Sequence, residues 1–130
     1  MDDRQRTPRK HVFAVNSSPD FLTIVRELFA EEGYTVTTSA FDSDVFAQIA
    51  ALRPDALMVD VAVGQTAGWA LLERLHTERT TTDIPVLVTS TTPRLLEEAQ
   101  AAGYGTHHYL AKPLDLHALL TAIREMLGDA

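Results

Sequence analysis

The chain contains no cysteine, which removes disulfides, thiolate nucleophiles and cysteine-ligated zinc together. No apolar run approaches the ~18 residues that a membrane-spanning helix needs. The opening segment Met1-Asp-Asp-Arg-Gln-Arg-Thr-Pro-Arg-Lys10 has no apolar stretch of the kind that forms a secretory signal, and reads as a tail over residues 1–9. Positive charge is scarce: 11 Lys and Arg stand against 18 Asp and Glu, for a net charge of −7. Direct nucleic-acid binding, which wants a basic surface, is therefore not expected. There is no internal repeat, low-complexity tract or linker. One local absence stands out. The first apolar run leads into "HVFAVNSSPD", where the turn after the run begins with two neutral residues, Asn16 and Ser17.

What is present is ordinary for a globular domain, with 45% hydrophobic and 22% charged residues in 130. Such a length fits one domain, placed at residues 10–128, and the composition points to a soluble, cytoplasmic one. Short apolar runs alternate five times with amphipathic stretches. Val12–Val15 reads as a strand buried on both faces. Phe21, Leu22, Ile24, Val25, Leu28 and Phe29 then recur at helical spacing, after an N-cap at Ser17 or Ser18 and before a stop at Gly33. Tyr34–Thr38 is the second strand. Val45 to Leu52 is the second helix, opened by Asp42 or Ser43 and closed before Pro54. Ala56–Val59, Val86–Thr89 and His107–Ala111 supply the remaining strands. Trp69–Leu75, Leu95–Ala102 and Leu116–Leu127 supply the remaining helices.

Five such units with short connections predict an α/β fold, a parallel sheet covered by helices on both faces. Ligands of such sheets sit beyond the carboxyl ends of the strands. That rule singles out Asn16–Ser18, Asp60–Ala62, Thr89–Thr91 and Ala111–Pro113. Asp60 directly follows an apolar run, Ser90 lies 30 residues further on, and Lys112 lies 52 further on. A carboxylate, a hydroxyl and an ammonium converging on one pocket suit a phosphoryl group, with the carboxylate as acceptor.

In the stretches "VNSSPDFLTIVRELFAEEGYTV", "PDALMVDVAVGQTAGWALLERL", "IPVLVTST" and "AGYGTHHYLAKPLDLHALLTAI", the chain resembles the response-regulator receiver domain of two-component signalling. The resemblance implies a doubly wound, flavodoxin-like parallel sheet of five strands, order 2-1-3-4-5, flanked by five helices, with Asp60 as the phosphoacceptor. It makes Ser90, with Thr91 beside it, the hydroxyl switch, Lys112 the phosphate-pairing lysine, and Tyr109 the switching aromatic. It implies a sensor histidine kinase or phosphotransfer protein upstream. A protein target or a second copy would dock on the face made by the fourth helix, fifth strand and fifth helix. The chain is then a single-domain, non-enzymatic receiver with no organic cofactor, and Asp60 is expected to pair with Lys112.

Two departures qualify this. The family carries two adjacent acidic residues after the first strand, which hold magnesium with the phosphoacceptor; here Asn16 and Ser17 occupy those places. With the backbone carbonyl of Ala62 they leave Asp60 as the one anionic ligand, a weakened magnesium site. Asp20, in the first turn of a helix, suits a helix-start charge, and Asp42 a cap; neither replaces the lost pair. The second departure is the loop Val61-Ala-Val-Gly-Gln-Thr-Ala-Gly68, which has Gly64 where the family often has proline and no acid at position 67; Gly64 is expected to loosen it. Two functions remain: a phosphorylation switch with a weak metal site, or a pseudo-receiver acting as a constitutive interaction module.

Plainer readings cover the other conspicuous residues. His107 and His108 are adjacent in a strand and point to opposite faces, so they cannot share one ion. Trp69 reads as a partly buried packing residue, and Thr80–Asp83 as a polar loop. A flavin-phosphate loop is not expected in "NSSPD", which has no glycine.

Overall fold

The computed structural model describes residues 9–62, 64–103, 108–111 and 115–128; over 108–111 it describes the backbone alone. Strand and helix alternate throughout: β1 (His11–Val15), α1 (Pro19–Glu31), β2 (Thr35–Ser39), α2 (Val45–Leu52), β3 (Ala56–Asp60), α3 (Thr66–Thr77), β4 (Val86–Ser90), α4 (Pro93–Ala102), β5 (His108–Ala111) and α5 (Leu116–Leu127). The strands form one parallel sheet in the order β2-β1-β3-β4-β5, the expected fold.

The sequence of each strand explains its place. All five residues of β3 and of β4 are buried, and four of five in β1, as a sheet covered on both faces requires. At the edge, the threonine-rich β2 has no fully buried residue. Alternation along the strands sorts the core into two layers. Phe13, Val15, Leu57, Val59, Val86 and Val88 pack with residues of α2, α3 and α4. Val12, Ala14, Ala56, Met58 and Leu87 pack with residues of α1 and α5.

Helix ends follow local chemistry. Ser18, rather than Ser17, caps α1: its hydroxyl accepts from the Phe21 N–H at 3.2 Å, and Pro19 fills the first turn, a cap worth about 1 kcal/mol. Asp20 lies in that first turn, as expected. Asp42 accepts from the Asp44 N–H at 3.0 Å, so it closes a turn one step ahead of α2, whose N-cap is Asp44. Arg53 ends α2 at φ 45°, a left-handed position that costs a non-glycine residue about 1–2 kcal/mol. Helix α3 starts at Thr66, three residues before the expected Trp69, after an N-cap residue, Gln65, that makes no side-chain cap bond. The polar run after α3 is more structured than a solvated loop: Thr81 is buried, and its hydroxyl donates to the Leu75 carbonyl at 2.9 Å.

Candidate functional site

The sheet changes winding direction between β1 and β3, and the crevice outside the carboxyl ends of these strands is where doubly wound sheets bind ligands. Three segments meet there: Asn16–Ser18 after β1, Asp60–Ala62 at the end of β3, and Ser90–Thr92 at the end of β4. Asp60 is buried, with 8% of its surface exposed, and so is Asn16, at 4%. The last β1–β3 register pair is Val15 with Val59, so one step further Asn16 stands level with Asp60.

Strand alternation assigns each side chain a face. Asn16, Asp60 and Thr89 share the parity of the layer that packs on α1 and α5, whereas Ser90 shares that of Val88, on the α3–α4 side. Asp60 and Thr89 are register partners, and the Thr89 hydroxyl donates to Asp60 Oδ1 at 2.8 Å. Ser90 is fully buried, and its Oγ accepts from the Thr92 N–H at 3.1 Å, ahead of α4. Thr91 is exposed. Thr89 is therefore the hydroxyl on the carboxylate, and spacing from Asp60 alone did not reveal it. Register would have: the residue paired across the strand, and so on the same face, is the one that reaches.

The neutral corner has its own hydrogen bonding. Asn16 Oδ1 accepts from the Ser18 N–H at 2.9 Å, a local turn that commits one lone pair of the oxygen a cation would use. Ser17 is exposed. The Ala62 carbonyl accepts from the Gln65 N–H at 3.2 Å, and the two residues form an isolated antiparallel bridge. Gly64 lies between them at φ 79°, a conformation closed to proline, whose φ is fixed near −65°. That backbone sign is one that glycine makes accessible. Among the described residues, no group of three or more His, Asp or Glu is placed to hold a metal.

Behind Asp60, Gly68 of α3 is buried against the β3 chain end. A Cβ built there would lie 2.2 Å from the Asp60 carbonyl oxygen, so only glycine lets the helix seat this closely. One residue on, half-buried Trp69 packs against the α2–α4 side of the core, as expected. It also lines a cavity of about 500 Å³ with Val61, Ala62, Gly64, Gln65 and Leu95. This cavity lies beside the turn, and the Asp60 carboxylate is not part of its wall.

Lys112 and His107 lie outside the described residues. Tyr109 and His108 belong to β5, where Tyr109 pairs with Val88 and His108 with Leu87; their side chains are outside the description.

Comparison with known proteins bears on the same segments. The family model for the response regulator receiver domain matches residues 12–124. The DNA-binding dual master transcriptional regulator RpaA of Synechocystis sp. is 26% identical over 116 residues, covering 89% of this chain and 48% of that protein. The response regulator MprA of Mycobacterium ulcerans is 31% identical over 103 residues, covering 79% of this chain and 44% of that protein. The chain thus spans about half the length of these curated relatives. Among solved structures, a response regulator from Chloroflexus aurantiacus superposes with a TM-score of 0.82 at 23% identity, over 93% of this chain and 99% of that one.

Proposed function

Because the chain belongs to the response regulator receiver domain family of two-component signalling, we propose that it is an atypical receiver: Asp60 is the phosphoacceptor and the magnesium site is weakened. The observation that carries this reading is the buried Asp60 carboxylate at the winding switch of the sheet, beside a corner built from a neutral Asn16. Receiver domains bind magnesium at the phosphorylation site. In this chain the donors are one carboxylate, an amide oxygen already accepting from Ser18, the exposed hydroxyl of Ser17, and a carbonyl already accepting from Gln65. Such a set fits a hard dication poorly, because magnesium holds its ligands in tight octahedral geometry and is drawn chiefly by charge. The protein's own groups then do most of the work of transfer. The sheet holds Asp60 in place, Lys112 is proposed to pair with the phosphoryl oxygens, and phosphorylation is proposed to draw Ser90, with Thr91 at its side, inward from its bond to the Thr92 N–H.

The domain is proposed to extend over residues 10–128, preceded by a tail over 1–9, and to be a cytoplasmic, non-enzymatic signalling module. No described helix is long and apolar enough to cross a membrane. Its partner upstream is a sensor histidine kinase or phosphotransfer protein. Output runs through protein contacts at α4, β5 and α5, with Tyr109 on that face, to a target or a second copy. The net charge of −7 favours protein over nucleic acid as the direct contact of this domain. One observation favours a second reading, a constitutive interaction module without phosphotransfer: Asn16 spends its oxygen on its own turn.

Trp69 fluorescence separates the two. With acetyl phosphate or beryllofluoride and increasing magnesium, the switch reading expects saturable quenching that Asp60→Ala abolishes. Identical responses from wild type and Asp60→Ala would leave the constitutive module.

A further inference from the structure

We propose that Thr89 is a positioning residue that sets the lifetime of the phosphoryl group on Asp60, an inference that rests on Asp60 being the acceptor. Three observations carry it. Thr89 and Asp60 are register partners on adjacent strands. Thr89 is 1% exposed, so water does not compete for its hydroxyl. Its Oγ1 lies 2.8 Å from Asp60 Oδ1. Ser90, one residue on, faces the other layer and spends its oxygen on the Thr92 N–H.

The chemistry follows from what happens to Oδ1. In transfer, the Asp60 oxygen not held by Thr89 attacks the donor phosphorus. A P–O bond to Asp60 forms, and the donor's own bond to phosphorus breaks with its electron pair leaving on the donor. Oδ1 thereby changes from a carboxylate oxygen, sharing a negative charge, to the neutral carbonyl oxygen of an acyl phosphate. A hydrogen bond to an ionised acceptor is roughly twice as strong as one to a neutral acceptor, so Thr89 favours the unphosphorylated side. In hydrolysis a water oxygen attacks phosphorus, and one of its protons passes to a phosphoryl oxygen of the departing inorganic phosphate. The P–O bond to Asp60 breaks, and its electron pair returns to the carboxylate. Charge grows on Oδ1 as that bond breaks, and the Thr89 hydroxyl is already in place to stabilise it. Thr89 thus speeds loss of the phosphoryl group.

The test compares wild type, Thr89→Val and Thr89→Ser after loading with labelled acetyl phosphate at saturating magnesium, following the decay of phospho-Asp60. Valine keeps the shape and removes the hydroxyl. We expect its half-life to lengthen about fivefold, equivalent to ~1 kcal/mol at 1.36 kcal/mol per decade, and serine to return it to the wild-type value. Thr89→Ala repeats the measurement should valine disturb folding, and thermal melts check all variants. A residue that merely filled space would shift the melting temperature without lengthening the half-life, and serine would not rescue it. Wild type that labels with an unchanged half-life in Thr89→Val and Thr89→Ala overturns the role of Thr89 alone. Wild type that takes no label at Asp60 overturns the acceptor reading and this inference with it.

Discussion

Restoring the two missing acids offers the most direct measure of what Asn16 and Ser17 cost. In the double variant Asn16→Asp, Ser17→Asp, the new carboxylate at position 16 stands level with Asp60 across one strand spacing, about 5 Å. Asn16 and Asp60 are both buried, so the repulsion without metal is about 3 kcal/mol at an effective dielectric of 20. The carboxylate at position 17 is exposed and adds less. An aspartate in place of Asn16 can still accept from the Ser18 N–H, so the local turn survives. For a domain of this size, about 4 °C of melting temperature corresponds to 1 kcal/mol, and the metal-free variant should melt about 10 °C below wild type. Magnesium reverses the penalty by binding between the carboxylates. At 10 mM, a dissociation constant of ~0.1 mM stabilises by about 2.7 kcal/mol, returning roughly 10 °C. Wild type, with a constant near ~10 mM, gains only about 0.4 kcal/mol, or ~2 °C. Melts from zero to 20 mM magnesium read both numbers. A wild-type gain as large as the variant's, with a midpoint below ~1 mM, would refute the weakened site.

Three further outcomes follow from geometry already described. Gly68→Ala forces a Cβ toward the Asp60 carbonyl, and should cost about 1–3 kcal/mol in denaturant midpoint, with Trp69 fluorescence shifted in the folded state. Thr81→Val removes the donor to the Leu75 carbonyl beneath the end of α3, and should lower unfolding free energy by about 1–2 kcal/mol in urea titration. Arg53→Gly relieves the left-handed position at the end of α2 but gives up the exposed contacts to Asp83 and Thr80; because exposed ion pairs contribute little, thermal melts should show no loss, and a gain of up to ~1 kcal/mol.

The fold was legible because every unit repeats one pattern: a buried apolar run, a turn, then an amphipathic helix. Val12–Val15, Ala56–Val59 and Val86–Thr89 each fall within a strand of the structure; short connections pointed to a parallel sheet covered on both faces, while the strand order was implied by the resemblance to receiver domains. The start of α3 was not legible, because Gln65 offers no capping bond and Gly68 lowers helix propensity. What admits that glycine is contact with another strand, which no local window contains. The site was legible as a set of strand ends and obscure in its connections. Spacing pointed to Ser90, but whether residue 89 or 90 faces Asp60 depends on the β3–β4 register, fixed by packing across the sheet. Likewise the composition of "VAVGQTAG" does not disclose the positive φ of Gly64 or the Ala62–Gln65 bridge, which are set by the backbone.

The contact between Gly68 and the Asp60 carbonyl has a mechanical side. A hydrogen atom, and no side chain, separates α3 from the peptide that carries the carboxylate, so the joint has no compliant spacer. A rotation of that peptide would meet the backbone of α3 rather than a side chain. Trp69 is the next residue and lines the neighbouring cavity, so its indole sits one residue from the contact with the acceptor peptide.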